Sequence, residues 1–454
     1  MQTHDLVIIG AGEAGQAAAH LARHRGASVA IVERELFGGS CPYWACMPSK
    51  ALLHAAAMHV AGGTYPWQRA SDFRDWMINR EGIDWPDDST HVTSLKKAGV
   101  TVLRGDGRID GPGRVAVASE DGEQVLGARA ILVAVGTNAT IPNDIMGLDQ
   151  IEPWTNRQAT TARAMPRSLV IVGAGPTGVE MAQVYARYGV PTVLVASHER
   201  INPNDHPLSS AAVDAGLRRD GVDIRTATRV SRVRPAAGRD GTHAVDLMNG
   251  STVEGHEILL AVGRTAPLRG LGLETVGVQP DDNGRLVPDD RLRLAEGVYV
   301  AGDPAGPEMH THLAVYQGEL AARIALGEDV RPDYRAIPHA IYTDPQAAGV
   351  GLQLAEAATH GLDAFEETTE YATTAPGYIA EAQGHVTIVA DRRDRVLLGA
   401  FIAAPGAADA IGESVLAIKL RTPLEVLADT IHPFPTTVRV MGSLFARAAA
   451  RTAR

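Results

Sequence analysis

Leu6-Val7-Ile8-Ile9-Gly10-Ala11-Gly12-Glu13-Ala14-Gly15 is the stretch whose reading decides the fold. Four consecutive apolar residues predict a strand. An alanine-rich run then predicts a helix to about Arg25, and Val29 to Val32 a second strand that ends in Glu33. The three glycines have separate duties. Gly10 allows the tight turn, Gly12 lets backbone approach a pyrophosphate, and Gly15 lets helix and strand pack closely. The free N–H groups at the helix start suit phosphate. Glu33 stands where an acidic group accepts hydrogen bonds from an adenosine ribose.

The pattern returns about 160 residues later as Leu169 to Val172, then Gly173-Ala174-Gly175-Pro176-Thr177-Gly178, a helix to about Tyr188 and a strand Thr192 to Val195. Gly173, Gly175 and Gly178 repeat the cradle, but no acid closes the second strand, which runs into Ala196-Ser197-His198-Glu199-Arg200. A carboxylate there would repel a 2′-phosphate, whereas Ser197, His198 and Arg200 can receive one, which favours NADPH and leaves NADH possible. Two such folds imply two dinucleotides, FAD and its hydride donor.

Bulk properties narrow the class. A chain of 454 residues suggests about three domains. With 45% apolar and 21% charged residues it reads as ordinary globular protein. A net charge of −11 argues against nucleic acid or an anionic membrane surface as partner. No apolar run reaches the roughly 18 residues of a membrane span, and no targeting signal precedes the first strand, so a cytoplasmic protein is expected.

The chain has two cysteines, within Gly38-Gly39-Ser40-Cys41-Pro42-Tyr43-Trp44-Ala45-Cys46-Met47-Pro48-Ser49-Lys50. A disulfide closing so short a loop stabilises little. No further ligand has metal-site spacing, so no metal is expected and redox chemistry is favoured. The apolar pattern from Ala51 to Val60 predicts a helix with Cys46 near its start, where the dipole favours a thiolate.

This stretch resembles the Gly-Gly-x-Cys-x-x-x-x-Cys-x-Pro-Ser-Lys signature of the class I pyridine nucleotide-disulfide oxidoreductases, the group of glutathione reductase, dihydrolipoamide dehydrogenase and mercuric reductase. The resemblance spans nearly the whole chain. Ile131 to Thr137, with Gly136, is similar to the strand and turn that close the FAD half, and Leu259 to Arg264, with Gly263, to its counterpart in the nicotinamide domain. Val298 to Asp303 is similar to a second FAD contact, which implies that Asp303 bonds the ribityl chain. A helix from about His312 is implied to face the flavin pyrimidine edge. Lys50 and Glu180 are implied to pair beside flavin N5. Electrons are implied to pass from NAD(P)H through FAD to the Cys41–Cys46 disulfide, leaving Cys46 as a thiolate against the flavin and Cys41 facing the acceptor.

One departure stands out. These enzymes carry a His-Pro-x-x-x-Glu element whose histidine crosses the dimer to serve the outer thiol. In Ile431-His432-Pro433-Phe434-Pro435-Thr436-Thr437-Val438-Arg439, Phe434 replaces that histidine and Arg439 the glutamate. A positioned acid–base contributes a factor of about 10²–10⁴, so small-disulfide turnover is in doubt unless His432 is a relocated base. Phe434-Pro435 resembles mercuric reductase, but the C-terminal cysteine pair of that enzyme has no counterpart, so its mercury chemistry is not expected. Pro176 stands where glutathione reductase has a gating tyrosine. Tyr43, Trp44 and Phe434 either pack structurally or line a site for a flat electron acceptor. His310 and His312 fit a flavin-facing helix start better than a metal site. The Trp-rich stretch from Pro66 to Trp85 is expected to be a surface excursion.

The expected fold is α/β: two Rossmann-like dinucleotide-binding domains plus an α+β C-terminal dimerisation domain. The FAD domain is placed at 1–150 and completed by 266–335, the NAD(P)H domain at 151–265 and the interface domain at 336–454. The expected function is an FAD-dependent NAD(P)H oxidoreductase and homodimer that passes electrons through Cys41–Cys46 to a small-molecule acceptor: a quinone, a metal ion or an unusual disulfide. The alternatives are a conventional small-disulfide reductase with a relocated base, and a dihydrolipoamide dehydrogenase-like subunit of a larger complex.

Overall fold

In the computed structural model residues 1–236 and 241–452 are described, and they form two compact units. The first comprises Met1–Ala51, Ser71–Thr140 and Gly263–Pro332. Its eight-stranded sheet centres on β1 (Thr3–Ile9), which lies parallel to β2 (Val29–Glu33) on one side and to Gly122–Val133 on the other. Leu6, Val7 and Ile8 are fully buried, as a central parallel strand covered on both faces requires. One cover is α1 (Glu13–His24) with the helix Thr311–Ala325, whose small residues let the backbones meet. A Cβ on Gly318 would lie 2.1 Å from the Ala14 carbonyl oxygen. The other cover is the hairpin Asp106–Ile109/Arg114–Ser119 and the loops carrying Leu271 and Leu286. In the turn between β1 and α1, a Cβ on Gly15 would lie 2.0 Å from the Gly10 carbonyl oxygen, so only glycine fits.

Two helices follow β2: the short α2 (Ser40–Trp44) and the longer α3 (Cys46–Gly62).

The second unit comprises Leu52–Ala70, Ile141–Val262 and Asp333–Arg454. A four-stranded parallel sheet, in the order Asp223–Arg225, Thr192–Val195, Leu169–Val172, Glu257–Leu260, carries the helix Pro176–Arg187. The glycine contact of the first turn recurs, with a Gly178 Cβ 2.0 Å from the Gly173 carbonyl oxygen. A five-stranded antiparallel sheet spans Pro338–Ile341 to Leu397–Ala403, and the helix Thr437–Thr452 buries Met441, Leu444 and Phe445 against it. Two dinucleotide-type folds and an α+β C-terminal domain are thus present. Among the described residues no helix is long and apolar enough to cross a membrane.

In the stretch expected to be a surface excursion, residues 81–85 are exposed, but its first half is packed. Trp67–Met77 is a helix, and its buried Trp67 donates its indole N–H to the Arg163 carbonyl at 2.7 Å while packing on Tyr185 and Tyr188. Arg74 and Asp75 form a fully buried ion pair at 2.8 Å, and Asp88 accepts from the Phe37 N–H and from Arg104, each at 2.8 Å.

Candidate active site

The site in the first unit is assembled from helix starts. The Gly38 N–H donates to the Ala11 carbonyl at 2.9 Å, which ties the cysteine segment to the first glycine turn. Gly39, at φ 69°, precedes α2, and a Cβ there would lie 2.7 Å from the Gly12 Cα. Cys41 therefore sits in the first turn of α2, Cys46 is the first residue of α3, and both belong to a segment pressed against the start of α1.

The first residue of the helix Thr311–Ala325 completes the group. The Thr311 hydroxyl donates to Cys41 Sγ at 3.3 Å and lies 3.4 Å from Cys46 Sγ. One hydroxyl proton can serve whichever sulfur carries charge. The sulfurs themselves are unequal: a hydrogen bond to Cys46, burial and the charge on Cys46 push the Cys41 thiol far up, against a smaller lowering by Thr311. The neighbouring Cys46 and burial thus disfavour ionisation at Cys41. Thr311, 265 positions from Cys46, was missed because no local pattern links them. Glu13, to which the sequence assigned no role, has its carboxyl pushed up by burial and then by Cys46.

The residues fit a dinucleotide. Gly12, the residue before α1, offers no side-chain cap, so the N–H groups behind it are left for a phosphate. Glu33 accepts from the Ala11 and Glu35 N–H groups at 2.8 Å each, and burial pushes its carboxyl up. Each oxygen keeps a lone pair for a ribose hydroxyl. Gly136 and Gly263 both take positive φ. Asp303 accepts from the Thr137 hydroxyl and pairs with Arg264, both at 2.6 Å, beside a cleft of about 360 Å³ also lined by Arg285 and Met309. His312 is the second residue of its helix and stacks on His310 at 5.1 Å, while His310 bonds Glu308 at 2.7 Å. The Lys50 ammonium is 3.3 Å from the Ser49 hydroxyl.

In the second unit Gly175 precedes the helix Pro176–Arg187 as Gly12 precedes α1. On that helix Glu180 is buried and accepts from the Tyr342 N–H at 3.0 Å. Ser197 and His198 are exposed beyond the strand Thr192–Val195, 3.2 Å apart. Arg200 departs from expectation. Its guanidinium turns onto the Pro203 and Asp205 carbonyls at 2.5 and 3.0 Å, bracing the loop rather than facing outward.

Two further expectations are corrected. Tyr43 and Trp44 do not line an open acceptor site: they are buried with Leu36 and Ile78, and the Tyr43 hydroxyl donates to the Phe37 carbonyl at 3.0 Å. Apolar burial outweighs display here, and only Phe434 of that trio is exposed. His432 is also not poised as a base. Its side chain is 4% exposed, Nε2 lies 2.9 Å from Glu413, and Nδ1 is buried without a partner. A Cβ on Gly442 would lie 2.5 Å from Nδ1, so that nitrogen is covered by the helix Thr437–Thr452. Glu413 was not foreseen because it stands 19 positions earlier.

Comparison with known proteins agrees with this geometry. Residues 4–318 match the pyridine nucleotide-disulphide oxidoreductase family, and residues 337–444 match its dimerisation domain. A dihydrolipoyl dehydrogenase of Thermus scotoductus is 32% identical, covering 96% of this chain and 95% of its own. A mercuric reductase of Streptomyces lividans is 33% identical, covering 96% and 94%. Among solved structures, LpdA from Mycobacterium tuberculosis superposes with a TM-score of 0.86 at 26% identity over 98% of this chain and 99% of that one. The HOCl-induced flavoprotein disulfide reductase RclA from Escherichia coli, as its Cu(II) complex, gives 0.87 at 21% identity over 98% and 100%. The chain therefore belongs to the pyridine nucleotide-disulphide oxidoreductase family and is an FAD-dependent enzyme of that class.

Proposed function

We propose that this enzyme moves electrons from NADPH through FAD and the Cys41–Cys46 pair to a small acceptor other than a conventional disulfide: a quinone, a metal ion or an unusual disulfide. Bound FAD supplies the step between hydride and electron-pair transfer; the chain supplies position and charge. The observation that carries this reading is the cysteine pair at two helix starts, bridged by the Thr311 hydroxyl. Oxidation of the pair expels two electrons toward an acceptor at Cys41 and leaves a disulfide for the flavin side to reduce again.

The preference for a special acceptor follows from the dyad that the sequence lacks. Phe434 and Arg439 stand at the dyad positions, and the covered ring of His432 argues against its replacing them. The conventional small-disulfide reading would need His432 to leave Glu413. Exposed Ser197 and His198 favour NADPH, with Arg200 bracing their loop. Dimerisation through residues 336–454 and the FAD division at 1–150 with 266–335 complete the proposal, with 151–265 holding the nicotinamide.

An anaerobic titration with NADPH and then NADH, following the visible spectrum, tests it. A long-wavelength charge-transfer band at two-electron reduction is expected. Bleaching straight to reduced flavin would mean the cysteines are bypassed and would sink the proposal.

A further inference from the structure

Cys41 follows an elbow, Phe37-Gly38-Gly39, whose backbone is tied at several points. The Phe37 carbonyl accepts from the Tyr43 hydroxyl at 3.0 Å, the Gly38 N–H donates to the Ala11 carbonyl at 2.9 Å, and the Gly39 N–H to the Leu36 carbonyl at 3.0 Å. Two further ties come from the helix Ser89–Lys97 and the residue before it.

Asp88 directly precedes that helix, where an aspartate ordinarily accepts from the free N–H groups of its own first turn. It makes no such side-chain cap. Its carboxylate instead accepts from the Phe37 N–H at 2.8 Å, 51 positions away, and its charge is met by Arg104 at 2.8 Å. The Arg104 guanidinium also lies over the Phe37 ring, 4.9 Å from its centre. His91, one helical turn on, bonds the Gln16 side-chain oxygen through Nδ1 at 2.9 Å. Gln16 gives its amide N–H to the Ala11 carbonyl at 3.1 Å, the acceptor that also holds Gly38. The His91 ring walls the elbow as well: a Cβ on Gly38 would lie 3.1 Å from its Nε2, 2.9 Å from Tyr43 and 3.0 Å from Pro42. Burial favours the neutral ring, with Asp88 opposing, so Nδ1 donates to Gln16 while Nε2 keeps a lone pair.

We propose that Asp88 and His91 are positioning residues for the cysteine pair: they fix the elbow before Cys41 and thereby favour closure of the Cys41–Cys46 disulfide. This rests on the cysteine relay proposed above.

The bonds of the two side chains go neither to a sulfur nor to the N–H groups behind Gly12 that are left for phosphate, so they act by position rather than charge. Closing a ring between two thiols is favoured to the extent that the reduced chain already holds them together. Thr311 is within reach of both sulfurs, at 3.3 and 3.4 Å, so the reduced pair is near the closed arrangement. Freeing the elbow gives the dithiol conformations that the disulfide does not share, which moves the equilibrium toward the thiols.

The test equilibrates the FAD-loaded enzyme anaerobically in buffers of reduced and oxidised dithiothreitol, quenches with acid and counts free Cys41 and Cys46 thiols by alkylation. One S–S bond breaks as the other forms, and two electrons and two protons pass between the dithiols. Asp88→Ala loses a hydrogen bond to a charged group and should lower the constant for disulfide closure about tenfold, a rise of about 30 mV in potential. Asp88→Asn keeps an acceptor for the Phe37 N–H and should lose less. His91→Leu should lower the constant about threefold. His91→Asn, whose amide N–H can still serve Gln16, should restore most of that loss. Ser28→Ala, which removes a hydroxyl bonded to Asp5 in the same unit, is the control for general destabilisation and should stay within about twofold of the wild type. Flavin content is measured alongside, and the His91 variants decide the matter if Asp88→Ala does not retain FAD. Constants unchanged or raised in Asp88→Ala and His91→Leu, or an equal fall in Ser28→Ala, would overturn the assignment. A wild type that forms no disulfide in these buffers means that the relay itself has failed. A wild-type disulfide with unchanged variants strikes Asp88 and His91 alone.

Discussion

Replacing Thr311 by valine removes one hydroxyl and little volume, and it isolates the contribution of the bridge between the sulfurs. The hydroxyl lies 3.3 Å from Cys41 Sγ and 3.4 Å from Cys46 Sγ, within reach of whichever sulfur is ionised. A hydrogen bond to a charged group contributes about 1.5–3 kcal/mol. Sulfur is a soft acceptor and these contacts are long, so the lower end of that range applies. One pKa unit corresponds to about 1.36 kcal/mol, so Thr311→Val should raise the pH midpoint at which the charge-transfer thiolate appears by about one unit. The assay is a pH titration of the long-wavelength band in the two-electron-reduced enzyme, with flavin content and far-ultraviolet circular dichroism as controls for folding. Thr311→Ser keeps the hydroxyl and should restore most of the shift. A midpoint that moves by less than about 0.3 unit in the valine variant, with FAD retained, would refute the view that this hydroxyl stabilises the thiolate.

Three other expectations follow from named contacts. Tyr43→Phe should leave the relative rates with flat and non-flat acceptors unchanged while costing about 1 kcal/mol in urea unfolding, because the buried Tyr43 hydroxyl bonds only the Phe37 carbonyl. A changed acceptor ranking would restore the aromatic-site reading. Ser197→Asp should raise the KM for NADPH at least tenfold while leaving that for NADH within about threefold, since a carboxylate there repels a 2′-phosphate; equal effects on both would remove Ser197 from that role. His385 is held down to about 3 by burial and by His206, with Asp205 opposing. The folded state therefore keeps the ring neutral while the unfolded chain protonates below about 6.5. Its stabilisation is complete above that pH and is lost on acidification toward 3, by at most about 1.4 kcal/mol per pH unit. His385→Gln should flatten the dependence of unfolding free energy on pH between about 6.5 and 4.5, and an unchanged slope would show that other groups control it.

The parts of the fold legible in the sequence were those specified by neighbours in the chain. A strand of Leu6, Val7, Ile8 and Ile9 followed by glycines at 10, 12 and 15 can satisfy its close contacts in few ways, and the collision awaiting any Cβ on Gly15 shows why. The same held for Gly173 and Gly178. The segment around Trp67 was misjudged for the opposite reason. Its partners, the Arg163 carbonyl and the rings of Tyr185 and Tyr188, are about 100 residues away, and nothing local distinguishes a tryptophan that packs from one that lies on the surface.

The site divides along the same line. Cys41 and Cys46 were legible because a tight spacing and a helix start together dictate thiol chemistry. The group that bridges them was not: Thr311 arrives from a distant helix. Arg200 and His432 show the matching error in the other direction. Each is a residue type that suited a role, yet Arg200 found nearer acceptors in the Pro203 and Asp205 carbonyls, and His432 a nearer partner in Glu413. A polar side chain close to backbone carbonyls or to a single carboxylate settles there, because leaving such groups unpaired on burial costs about 1–3 kcal/mol.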